Sequence, residues 1–192
     1  MDPQQSVDAE LVTDDGVCVL THTPLDVQAI ISSVGSDEAG ATAVFIGTTR
    51  NSFKGKVVLR LEYQAYSKLA IKTMSSILHQ ARINAIESSS SAFPPHSASV
   101  LVPAPIQPNP TPAPDPNPNN LIHSTIHHRL GPVPVGSPSI VIAVSSPHRQ
   151  SAFRACEFIL EQVKSRAQIW KREFYDCDGV DDCDAIWKDN RS

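Results

Sequence analysis

The sequence predicts a domain in which strands and helices alternate around one main sheet, an α/β or α+β fold. Three observations carry this reading. Two-residue alternation runs through residues 57–66 and again through 121–130. Helical spacing occupies residues 67–86. A second helical pattern follows Ser146-Pro147, where serine suits an N-cap and proline the first helical position.

Taken in order, residues 41–47 (ATAVFIG) form a short apolar run ending in glycine, as a buried strand does. In 57–66, Leu59, Leu61, Tyr63 and Ala65 share one face, opposite Arg60, Glu62, Gln64 and Tyr66, which predicts a half-buried strand. The helix from Ser67 carries Ala70, Met74, Ile77, Leu78, Ala81 and Ala85 as its apolar stripe. Residues 88–120 break the pattern with a serine run and ten of the sixteen prolines, Asp115 being their one charge. Closely spaced prolines forbid helix and central strand, so this stretch reads as a disordered or polyproline-like insertion without chemistry, either a surface loop or a ligand for a proline-recognising domain. Another strand follows over 121–130, then a turn-rich stretch over 131–138 and a buried strand over 140–144. The last long helix has Ala152, Phe153, Cys156, Ile159, Leu160 and Val163 as its stripe and ends near Arg166, before an extended stretch over 168–174.

Composition narrows the function. The 192 residues are 41% hydrophobic and 19% charged, which suits one domain with appendages. No apolar run nears the ~20 residues of a membrane span, and MDPQQSVDAE lacks the basic start of a secretion signal. Four cysteines without a CxxC pair exclude a zinc ribbon, argue against a disulfide framework and suit a reduced, cytosolic setting. Residues 1–49 hold eight acids and no Lys or Arg; from Arg50 onward all 16 bases face the remaining 12 acids. This modest surplus suits a small anionic ligand or an acidic peptide tail and is too weak for a dedicated nucleic-acid binder.

The candidate site residues are cations in unusual places. His148 and Arg149 stand in the first turn of the last long helix, where the dipole disfavours positive charge. They read as an oxyanion site, or else as an exposed pair bridging a neighbour. Arg50 follows a strand end in Gly47-Thr48-Thr49-Arg50, as an anion holder or as a solvated loop residue. From Lys164 to Glu173 the bases cluster around Trp170; such clustering depresses a lysine's pKa and suits proton transfer, although a solvated basic face is the alternative. His127 and His128 point to opposite faces of a strand and cannot chelate one metal. Cys156 reads as a core thiol, and Cys177 and Cys183 as bystanders in an acidic tail. No nucleophile elbow, phosphate loop or dinucleotide fingerprint is present.

The blocks GTTRNSFKGKVVLRLEYQAY, HRLGPVPVGSPSIVIAVSSPHRQSAF and LEQVKSRAQIWKRE, in that order, closely resemble the large, catalytic subunits of molybdopterin synthases of eukaryotic type. The resemblance covers about residues 40–173 apart from the insertion. It implies an α+β, hammerhead-like fold: a mixed or antiparallel main sheet packed with two long helices, plus a small extra β subdomain. It divides the chain into an acidic N-terminal segment (1–39), a catalytic domain (40–176) interrupted by 88–120, and an acidic tail (177–192). It further implies a cytosolic sulfurtransferase that dimerises and binds two small ubiquitin-like subunits, giving a heterotetramer. Each small subunit carries a C-terminal thiocarboxylate, and two sulfurs pass to cyclic pyranopterin monophosphate to make a dithiolene, with no cofactor, metal, nucleic acid or membrane required.

Carried over by position, the substrate-contacting residues would be Thr48, Thr49, Arg50, His148, Arg149, Lys164, Lys171, Arg172 and Glu173, with Lys164 and Lys171 catalytic. Gln168 stands where such proteins commonly have proline, and Gln64 where glutamate is common. The rival reading is a non-catalytic module of the same fold that binds an anion or a ubiquitin-like tail. Along one unbroken helix, His148 and Lys164 would lie ~24 Å apart, so the resemblance implies a site shared between two copies of the chain.

Overall fold

The computed structural model describes residues 6–90, 121–176 and 187–189. The chain opens with an antiparallel hairpin, β1 (Ala9–Thr13) and β2 (Gly16–Thr21). Gly16 has φ +141°, and a Cβ there would stand 2.1 Å from the Ser124 carbonyl oxygen, so only glycine lets the hairpin approach its neighbour. Helix α1 (Val27–Ser33) is capped by Asp26, whose carboxylate accepts from the Ala29 amide at 3.0 Å. Strands β3 (Ala41–Thr48), β4 (Ser52–Phe53) and β5 (Lys56–Ala65) lead into α2 (Ser67–Ser90). Beyond it lie β6 (His123–Arg129), β7 (Gly131–Pro134) and β8 (Pro138–Ser146). Helix α3 (Arg149–Arg166), β9 (Ile169–Tyr175) and β10 (Trp187–Asp189) follow.

The strands make two sheets. The first has the order β1-β2-β6-β8-β3 and is mixed, because β2 pairs β6 in parallel while its other neighbours are antiparallel. The second runs β10-β9-β5-β4, with β7 also on β5, and is antiparallel. Two long helices on a mixed sheet with a further β unit is the predicted architecture. The further unit is a full second sheet, and a short third helix, α1, packs by β8 of the first sheet.

The core lies where α2 and α3 meet each other and the first sheet. Met74, Ile77 and Leu78 of α2 are buried with Ile159 and Val163 of α3 and Leu20, Ile126 and Ile142 of the strands. The predicted α2 stripe is this buried face; Ala85 is only half-buried. Cys156 is buried, and burial pushes its thiol up to about 11, as for an inert core thiol. Cys177 and Cys183 lie outside the described residues, as do 91–120; α2 continues through Ser90, into the stretch assigned to the insertion. Among the described residues no helix is long and apolar enough to cross a membrane.

Three local readings change. Ser146 does not cap α3: it is the last residue of β8, paired with Ala41 and fully buried, so its backbone belongs to the ladder. The helix starts at Arg149 with His148 at the N-cap, and the Ser146 Oγ accepts from the His148 amide at 3.4 Å. Phe153 leaves the apolar stripe and is 65% exposed, because α3 turns Ala152, Ala155 and Cys156 inward. The turn-rich 131–138 stretch holds β7, whose Pro132 and Pro134 pair with Glu62 and Arg60 at a sheet margin, where a missing N–H costs no ladder bond. The acidic N-terminal segment, for its part, supplies β1, β2 and α1, its hairpin forming one side of the first sheet.

Candidate active site

A cavity of about 380 Å³ opens where the two sheets and the end of α3 converge. The close of β3 brings Gly47 and Thr48 to its edge, and the following loop brings Arg50. Tyr63 of β5 and His128 of β6 form its wall, and Phe53 of β4 its rim. Lys164 enters from the last turn of α3, where the helix dipole favours a cation. Lys171 and Glu173 enter from β9; two residues apart on a strand, they share a face.

Five of the nine predicted residues therefore meet: Thr48, Arg50, Lys164, Lys171 and Glu173. Thr49 is buried beside them in a structural role. Its amide donates to the Ser137 carbonyl at 3.2 Å and its hydroxyl to the Val133 carbonyl at 3.3 Å, which pins the β7–β8 turn against β3. Arg172, between Lys171 and Glu173, points to the other face of β9, where it pairs with Glu62 at 3.0 Å and lies 4.6 Å from the Phe174 ring centroid. His148 and Arg149 line a separate hollow at the opposite end of α3, with Gln150 and Phe153. The helix between them and Lys164 is unbroken, a separation of ~22 Å at 1.5 Å per residue.

The electrostatics follow from burial and neighbours. Burial pulls the Lys171 ammonium below its ordinary range; Glu173, 3.7 Å away, opposes this, while the positive charges of Lys164 and Lys188 reinforce it. Burial works to raise the Glu173 carboxyl, but the Tyr175 hydroxyl, Lys188 and Lys171 outweigh it and hold the group low, as a carboxylate. Burial takes His128 down to about 4, against a bond from its Nδ1–H to the Arg129 carbonyl at 2.8 Å, so the wall presents a neutral imidazole. Tyr63 is pushed up by burial and stays protonated. Such a set can hold an anion, stabilise a developing oxyanion and pass a proton through a lysine whose ammonium is destabilised. Among the described residues no cluster of His, Cys, Asp and Glu could hold a metal.

Sequence reasoning did not single out Tyr63, His128, Phe53 or Lys188 for the site. The alternation in 57–66 places Tyr63 on an apolar face, which reads as core. His128 and Lys188 enter only through pairing across strands distant in sequence.

Comparison with known proteins agrees with the fold. A family model described as MoaE protein matches residues 20–94 and 116–166, leaving out most of the proline-rich stretch and stopping before β9. The molybdopterin synthase catalytic subunit of Pyricularia oryzae is 39% identical over 185 residues, covering 96% of this chain and 80% of that protein. The subunit of the same name from Drosophila willistoni is 38% identical over 172 residues; the match covers 90% of this chain but 36% of the longer fly protein. The X-ray structure of molybdopterin synthase from Staphylococcus aureus aligns with a TM-score of 0.61 at 27% identity, over 88% of this chain and 94% of the other. On its fold and on sequence matched along most of its length, the chain belongs to the MoaE family.

Proposed function

We propose that this chain is the catalytic subunit of a molybdopterin synthase, a sulfurtransferase that moves two sulfurs from a thiocarboxylated small subunit to cyclic pyranopterin monophosphate. The observation that carries this is the convergence of Arg50, Lys164 and Lys171, with Thr48 and Glu173, in one half-enclosed cavity. Both the thiocarboxylate and the cyclic phosphate are anions, and a cavity lined by three cations suits them.

Arg50 and Thr48 hold the phosphate side of the pterin. Lys164 neutralises the thiocarboxylate and the oxyanion formed on addition to it, and Lys171 moves protons as the phosphate ester opens. The sulfur arrives on the partner, so no cysteine nucleophile of this chain takes part; Cys18 and Cys156 are buried core thiols. His148 and Arg149 reach the pterin from the second large subunit of a dimer, since α3 holds them too far from Lys164 of their own chain. Two small subunits on such a dimer make a heterotetramer.

The test combines the purified full chain with thiocarboxylated small subunit and cyclic pyranopterin monophosphate. Dithiolene product is expected. Tight binding of the small subunit with no product, under conditions where an active synthase turns over, would identify a tail-binding module instead.

A further inference from the structure

The short strand β10 returns the chain to the edge of the second sheet and lays Lys188 opposite Lys171 in an antiparallel ladder. Directly opposed residues share a face, so two positive side chains stand on the cavity side of β9. Such a pair repels unless an anion lies between its members. Glu173 is that anion, and its two oxygens are divided. Oε1 faces the Lys171 Nζ at 3.7 Å, while Oε2 accepts from the Lys188 Nζ at 3.3 Å and from the Tyr175 hydroxyl. The Lys188 Nζ also lies 5.8 Å from the ring centroid of Phe53, on the cavity rim. The Glu173 side chain is 8% exposed and that of Lys188 is 44% exposed, so Lys188 reaches from solvent to a buried carboxylate.

We propose that Lys188 is a positioning residue of this cavity: it clamps the Glu173 carboxylate from outside and so fixes where the Lys171 ammonium stands. The inference deepens the proposed function and rests on it for the role of Lys171. Among the described residues, the titratable and charged groups around Lys171 include Arg50, Tyr63 of β5, His128 of β6, Lys164 of α3, and Glu173 and Tyr175 of β9. Lys188 acts on Lys171 in two ways of the same sign. Its charge disfavours a second ammonium, and by occupying Glu173 it weakens the attraction that would favour one.

The experiment measures Lys171 directly: the intact chain is acylated with acetic anhydride across a pH series, and the Lys171 peptide is quantified by mass spectrometry. Lys188→Met should raise the Lys171 midpoint by about one pH unit, the effect of a neighbouring charge in a partly screened setting. Lys188→Arg, which keeps the charge, should hold the wild-type midpoint. In the sulfur-transfer assay Lys188→Met should lower kcat about tenfold with the KM for the small subunit unchanged, and Lys188→Arg should restore most of it. A Lys171 midpoint unmoved by Lys188→Met overturns the clamp. A midpoint that moves in a chain without sulfur transfer supports the clamp and overturns the proposed reaction.

Discussion

The ring of Tyr63 meets that of His128 edge-on, with centroids 4.9 Å apart and planes 74° apart, and so fastens the second sheet to the first at the cavity wall. The contact needs an uncharged imidazole, because the residue is 1% exposed. One ring nitrogen is committed to the Arg129 carbonyl.

Acid should therefore loosen the fold at this joint. The folded pKa of His128, about 4, lies below the ordinary value of 6.5, so the unfolded chain binds more protons between those limits. The contribution is fully present above pH 6.5 and is lost as pH falls towards 4, amounting to about 3 kcal/mol over the interval. Urea unfolding at pH 7 and pH 4.5 should show this loss in the wild type and its disappearance in His128→Gln. Equal losses in both would move the acid sensitivity elsewhere.

Lys164→Ala should lower sulfur transfer at least about a hundredfold, the scale seen when a single oxyanion-stabilising group is removed. Lys164 lies off the buried face of α3, so thermal stability should hold. Small-subunit affinity should change little. Turnover within a few-fold of wild type would take Lys164 out of the chemistry.

A mixture of Arg149→Ala and Lys164→Ala chains should regain activity that neither shows alone. In a shared site each mixed dimer keeps one pocket with both groups intact. Absence of activity, with mixed dimers demonstrated by mass spectrometry, would mean that Arg149 serves something other than the cavity across the dimer.

Joining Ser90 to Leu121 through a short flexible linker should leave folding and turnover intact. The family match skips residues 95–115, and loop-closure cost changes only slowly with length. Circular dichroism and the transfer assay decide it; an inactive or aggregating deletion would show that the segment packs on the domain.

The sheet-and-helix order was legible because its periodicities are local: Leu61 and Tyr63 alternate, and Met74, Ile77 and Leu78 recur at helical spacing whatever lies elsewhere. The acidic N-terminal segment was opaque for the opposite reason. Its hairpin is half-buried and gains its place by pairing with β6, whose sequence comes after the proline-rich stretch. At the site, Arg50, Lys164 and Lys171 could be named from the blocks that contain them, but which strand face each occupies could not. Thr49 and Arg172 neighbour cavity residues in sequence yet turn away, one into the β7–β8 turn and the other onto Glu62 and Phe174. Lys188 left no mark in the sequence because only cross-strand register brings it to Glu173.

The parallel pairing of β2 with β6 also sets a timetable for synthesis. Val17 pairs with Thr125, more than a hundred residues later, so on the ribosome the N-terminal hairpin must wait for helix, insertion and sixth strand to emerge. Until then one flank of β2 is an open edge that invites pairing with another chain. Contacts of such long range slow folding. The time for which the nascent chain needs protection thus grows with the number of residues that must emerge between Val17 and Thr125.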